Sequence, residues 1–262
     1  MKHTALLLFI AFISCNKKDS TPNNTISTDA QRHKLKEVTV QNLPSPYFLY
    51  QYDANNFVTT LNHESGFYQY TLEYRNNRLY QLVNNTAVNH DTLRYYYNEG
   101  KVVRIDLLQP NEGKTEETGF QYDNSGRLTQ VTWKKMTTGA VFKKMLFTYN
   151  QQSNLSKAEI YYQAGNGLQK LNEYQYLQYD DKINLTSGYL LKEAHFLFLP
   201  QVHLQKNNPI QVKLLGVTND FEYNNTYVYN DSLPTVKTMV MTQTRGTGTG
   251  TTITGVTRYT YY

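Results

Sequence analysis

Six histidines, two adjacent acidic pairs and one cluster of lysines with aromatics are the residues whose types and spacing could do chemistry. His195 and His203 flank Pro200, and a turn there would bring two imidazoles together as half of a zinc site. No cysteine or acidic cluster completes that set, so they read as two surface histidines. Glu116-Glu117 and Asp180-Asp181 offer paired carboxylates. Glycoside cleavage needs two carboxylates about 5–9 Å apart across a cleft, whereas adjacent residues on a strand point to opposite faces. The glycine-rich run 245–255 (RGTGTGTTITG) lacks the Lys-Ser/Thr of a phosphate-binding loop and opens no helix, so it reads as a flexible or bulged β connection. The sequence thus predicts no catalytic residue, no metal and no cofactor.

One surface feature stands apart. Trp133-Lys134-Lys135 and Phe142-Lys143-Lys144 flank Thr137-Thr138-Gly139-Ala140, a natural hairpin. Trp133, Lys134, Lys135, Phe142, Lys143 and Lys144 are therefore the candidate ligand-binding residues, a docking patch for an anionic glycan or a protein partner. The plainer reading is that the lysines keep a strand edge soluble.

The elements that must carry these residues begin at the N-terminus. A short basic start, Met1-Lys2-His3, precedes nine apolar residues, Ala5 to Ile13. That run is too short for a membrane-spanning helix, which needs about 20 apolar residues, but it suits a secretory signal. It ends in Ile13-Ser14-Cys15, which resembles the lipobox of bacterial lipoproteins. The resemblance implies cleavage before Cys15 and its acylation, hence a lipid anchor. Cys15 is the only cysteine, so no intramolecular disulfide can form. Residues 1–15 then form the signal, the polar residues 16–33 a flexible tether, and residues 34–262 a single domain. The expected location is the outer membrane, on its periplasmic face or at the cell surface. A net charge of +5 suits an envelope glycan or protein partner, and no nucleic acid is expected there.

Within residues 34–262 a phrase recurs, best seen as FQYDNSGRLTQV at 120–131. Its second aromatic falls at 52, 74, 97, 122, 149, 179, 229 and 261, at intervals of 22 to 32 with one of 50. The long interval reads as two units with one anchor lost. Aromatics two apart share a strand face, Asp or Asn opens a turn, and Gly126 supplies positive φ. Apolar residues follow three apart: Val58/Leu61, Leu79/Leu82, Val102/Ile105, Leu128/Val131, Leu155/Ala158 and Leu233/Val236. That spacing is odd for a strand, so either a bulge lies between them or the sheet is covered on both faces. The predicted fold is all-β: an antiparallel meander of about 16 strands built from hairpins of about 25 residues, as an open curved sheet or a closed barrel.

The phrase Tyr122-Asp123-Asn124-Ser125-Gly126-Arg127-Leu128-Thr129 resembles the YD repeat of RHS-type proteins. Lipobox and repeats together resemble small Gram-negative envelope lipoproteins of unknown function. The resemblance implies an architecture and brings no catalytic residues. The expected function is a non-catalytic, lipid-anchored binding module for a glycan or protein, acting through Tyr-rich surfaces. The alternatives are a structural scaffold of the envelope, a polysaccharide hydrolase and an integral outer-membrane barrel, the last suggested by the terminal RYTYY.

Overall fold

A computed structural model of the chain describes residues 34–185, 190–191 and 197–262. The expected signal, Cys15 and the tether lie outside the described residues. The chain runs as a succession of antiparallel strands. The first are β1 (Leu35–Val40), β2 (Phe48–Tyr52), β3 (Val58–His63), β4 (Tyr68–Arg75), β5 (Arg78–Asn84) and β6 (Thr92–Asn98). There follow β7 (Lys101–Gln109), β8 (Gly113–Tyr122), β9 (Leu128–Lys135), β10 (Val141–Tyr149), β11 (Leu155–Ala164) and β12 (Gly167–Ile183). A short pair, β13 (Leu190–Leu191) and β14 (Leu197–Phe198), precedes β15 (Asn207–Gly216), β16 (Asp220–Asn230), β17 (Leu233–Arg245) and β18 (Thr252–Tyr261). Sixteen of these strands form one closed barrel, in which β18 returns to pair with β1. Among the described residues β13 and β14 form a separate two-stranded sheet. Every barrel strand comes from residues 35–261, so that segment closes on itself.

The repeated phrase builds the turns at one end of the barrel. Asp123 Oδ1 accepts the backbone N–H groups of Ser125 and Arg127, each at 2.9 Å, while Gly126 takes φ +81°. Asp53 and Asn150 do the same two and four residues ahead, with Asn56 and Ser153 in the left-handed position. The Asp123 carboxyl is held below its usual range, first by the Arg127 N–H and then by the Arg127 guanidinium that pairs with it.

A bulge explains the spacing of three. Tyr122 pairs with Leu128 but Gln121 with Gln130, so Thr129 is the extra residue, and its hydroxyl bonds the Gln121 carbonyl. The same shift occurs at Tyr52, Tyr74, Tyr97 and Tyr149. With one residue absorbed, both members of the first five apolar pairs face inward, and all ten are buried. The sixth pair is one residue displaced from its sequence assignment. Tyr229 pairs with Pro234 and Val228 with Val236, so the inward positions are Pro234 and Lys237, not Leu233 and Val236.

The bulge has a cost that the tyrosines meet. It carries the start of each second strand out of the ladder; β7 and β8, for example, pair only from Arg104 and Gly119 onward. The Val102 carbonyl is left without a ladder donor, and Tyr122 Oη donates to it at 2.8 Å. Tyr52, Tyr97, Tyr149, Tyr179 and Tyr261 bond the carbonyls of Leu35, Leu79, Leu128, Leu155 and Pro234 in the same way, at 2.7–2.8 Å. Six hairpins are thereby stitched to their predecessors, while the Tyr229 hydroxyl goes to Asp180 instead.

Side-chain alternation makes the barrel apolar inside and polar outside. On β4, Tyr70 and Leu72 are buried while Gln69, Thr71, Glu73 and Arg75 are exposed. The outer wall carries ion pairs, Lys170 with Glu173 and Glu159 on β11–β12, and Lys114 with Asp106 and Glu117 on β7–β8. A bilayer-spanning barrel requires the opposite, an apolar outward band about 25 Å tall.

The interval of 50 residues is one hairpin with an insertion, not two units with a lost anchor. β12 pairs directly with β15, and the described residues between Ile183 and Asn207 lie outside the barrel sheet.

Tyr122→Phe should lower stability by about 1–2 kcal/mol, the cost of a buried carbonyl losing its donor, read as a lower urea midpoint. Deleting Thr129 leaves Leu128, Gln130 and Val131 in regular in–out–in alternation with Val131 and Trp133 still inward, so unfolding should stay cooperative. Deleting Thr132, which lies in the regular ladder, instead moves Trp133 to the outer face and should lower the urea midpoint sharply.

Candidate functional site

The insertion folds back into the barrel from the end that carries the repeated turns. Phe198, Leu199, Val202 and Leu204 join the core cluster, and Tyr95 Oη donates to the Phe198 carbonyl at 2.9 Å. Its return is fastened to a repeat turn. Asn154 Oδ1 accepts the N–H groups of Lys206 and Asn207 at 2.7 and 3.0 Å, and Leu155 N donates to the Leu204 carbonyl at 3.2 Å. Asp180 is bonded by Asn208 N, Lys182 N and the Tyr229 hydroxyl, so this carboxylate is committed to the same junction.

The plug fills only part of the lumen. Beside it lies a cavity of about 650 Å³. Its lining is aliphatic and aromatic at Leu35 and Val38 on β1 and at Met145, Phe147 and Leu155 on β10 and β11. β15 to β17, which lie between those strands around the barrel, set Asn208, Asn225 and Lys237 among Tyr223, Tyr227 and Met239. Gln205 of the plug lines the cavity too. Lys237 occupies the inward position that is apolar in the other units. A volume of this size, mainly apolar with a few polar groups, matches sites that take small organic ligands.

The sequence-predicted patch is divided by strand alternation. Trp133 is 2% and Lys143 4% exposed, and they form a cross-strand pair on the inner face, with Lys143 Nζ 5.0 Å from the Trp133 ring and 4.9 Å from that of Tyr162. Lys134 and Lys144 lie on the outer face, Lys144 Nζ over the Tyr161 ring at 4.8 Å. Lys135 Nζ lies over the Phe142 ring at 5.4 Å near the turn. These six residues therefore do not form one surface.

The tyrosines are likewise directed inward for the most part, and the outward Tyr80 and Tyr96 are covered by Arg75 and Arg104 at 3.4 and 3.9 Å. Glu116 pairs in register with Leu107 on the inner face, while Glu117 is ion-paired to Lys114 outside. His195 lies outside the described residues, and His203 is exposed. Among the described residues, no group of three or more His, Cys, Asp or Glu side chains could hold a metal.

Sequence reasoning missed the cavity and an aromatic stack at its edge. His63 is fully buried, its ring 4.6 Å from Tyr68 and 5.9 Å from Tyr70 and Phe48. Its inward direction follows from Leu61 two residues earlier, once the bulge is counted. Burial pushes the His63 imidazole down to about 3.

No protein-family model matches the chain, and no curated protein matches it in sequence. Among solved structures it is similar to a porin-like protein from Bacteroides uniformis, with a TM-score of 0.58 and 14% identity over 82% of this chain and 89% of that one. It is also similar to a porin-like protein from Bacteroides vulgatus, with a TM-score of 0.55 and 13% identity over 88% and 99% of the two chains. At these identities the likeness concerns the fold, a closed antiparallel barrel.

His63 should make the barrel acid-sensitive. Its folded pKa is below the unfolded value of 6.5, so its contribution is complete above pH 6.5 and is lost as pH falls toward 3, by up to about 1.4 kcal/mol per unit. Urea midpoints at pH 7, 5 and 4 should fall more steeply in the native protein than in His63→Phe.

Proposed function

We propose that this chain is a non-catalytic envelope protein, lipid-anchored through Cys15, that holds an amphipathic small molecule inside its barrel. One observation carries the reading: a closed barrel with an apolar interior retains a cavity of about 650 Å³ beside its plug. A domain built only for structure gains from filling such a space, since interiors pack as densely as organic crystals. On this reading the binding surface expected from the tyrosines is the lumen. Its rings and aliphatic side chains bury an apolar body, and its amide and lysine groups orient a polar end.

The outer wall supports an arrangement in which the tether suspends the barrel in water beside the membrane. Ionic side chains on β7–β8 and β11–β12 would each have to be desolvated in hydrocarbon. The porin-like neighbours support an envelope location for such a barrel. The repeated Asx turn, bulge and tyrosine support placing the chain among small YD-repeat lipoproteins. The committed carboxylates of Asp180 and Glu117 favour binding over hydrolysis.

The test uses residues 34–262 and the apolar probe 1-anilinonaphthalene-8-sulfonate. Saturable fluorescence enhancement should occur, and Ala158→Phe, which fills the cavity from β11, should weaken it at least tenfold. Lys134→Ala with Lys144→Ala on the outer wall should leave it unchanged. Binding that survives Ala158→Phe but is lost in the lysine variant would return the site to the outer surface.

A further inference from the structure

Asn225 specifies one polar group of the ligand, an inference that rests on the lumen reading above. The residue sits on the inner face of β16 opposite Met239, is 4% exposed and lines the cavity. Its Nδ2 donates to the Pro209 carbonyl at 2.9 Å. A carbonyl can only accept, so this bond fixes which end of the amide is nitrogen. Oδ1 is then the remaining polar atom of the side chain, and it is buried with no hydrogen-bond partner. The hydroxyl of Tyr227, a neighbour on the same strand face, already donates its single hydrogen to Pro209 O at 3.2 Å. Buried amide oxygens are almost always satisfied, and an unsatisfied one in a ligand-sized cavity marks where a donor belongs.

We propose that the ligand has an apolar body and donates a hydrogen bond, from a hydroxyl or an amide N–H, to Asn225 Oδ1. Leu35, Val38, Met145 and Leu155 line the same cavity and suit an acyl or alkyl chain. A molecule with the same body but only acceptor oxygens would desolvate Oδ1 without pairing it.

Decan-1-ol and its isomer 1-methoxynonane separate these cases, each titrated against the bound anilinonaphthalene probe on residues 34–262. The alcohol should displace the probe about tenfold more effectively, the size of one hydrogen bond to an otherwise unsatisfied buried acceptor. In Asn225→Leu the ratio should fall to about one, with affinity for the ether retained. Pro209 O keeps its Tyr227 donor in that variant, and should the variant not fold, the comparison on the native protein decides by itself. Equal displacement by both molecules from the native protein would overturn the inference while leaving the lumen reading in place. Displacement by neither would overturn both.

Discussion

The hydrogen bond from a repeat tyrosine to a carbonyl of the preceding hairpin is the interaction on which this barrel depends. A bulge in each hairpin turns two apolar residues spaced by three toward the same side, doubling the apolar contribution of a short strand start. The same bulge pulls a backbone carbonyl out of the ladder, and a buried carbonyl without a donor is destabilising by about 1–3 kcal/mol. A phenol hydroxyl on the neighbouring strand reaches that carbonyl while its ring packs into the wall. Tyrosine can do both; phenylalanine and serine can each do only one. The 24 tyrosines are thus partly explained by backbone chemistry, before any ligand is considered.

Repetition of this unit has a consequence for function. Sixteen strands enclose more space than wall side chains of this size fill, and larger barrels generally enclose cavities or channels. Here the insertion between β12 and β15 occupies part of that space with Phe198, Leu199, Val202 and Leu204. What remains is lined by two chemically different sets of residues. The apolar lining comes largely from β1, β10 and β11, and the divergent units at β15 to β17, with Asn225 and Lys237, give the polar groups. Degeneracy of the repeat thus coincides with the place where specificity can be written.

Much of this was legible in the residues, and what was not has identifiable causes. Tyr122-Asp123 followed by Gly126 named the hairpin, because Asx turns and positive φ have local signatures. The spacing of Leu128 and Val131 signalled a bulge without distinguishing it from a sheet covered on both faces, since that choice depends on pairing partners. Placing Trp133 and Lys143 required that parity: only after Thr129 is removed from the count does Trp133 fall on the inner face, with Lys143 opposite. A lysine directed inward breaks the usual pattern, and its partners, Trp133 and Tyr162, come from different strands. The insertion was hidden because its apolar residues carry no clear period, and a run of 50 between anchors fits two units as well as one. The orphaned Oδ1 of Asn225 depends on Pro209, sixteen residues away, and no sequence pattern marks it.

The central claim is that this barrel turns its apolar face inward and its charged face to water. The direct test is to express residues 34–262 without the signal and tether, and to examine them by size-exclusion chromatography with light scattering in detergent-free buffer, followed by flotation with phospholipid vesicles. A soluble, monodisperse, β-rich protein that stays with the aqueous fractions is the predicted result. Aggregation without detergent, together with insertion into the vesicles, would contradict it and would assign this barrel to the bilayer.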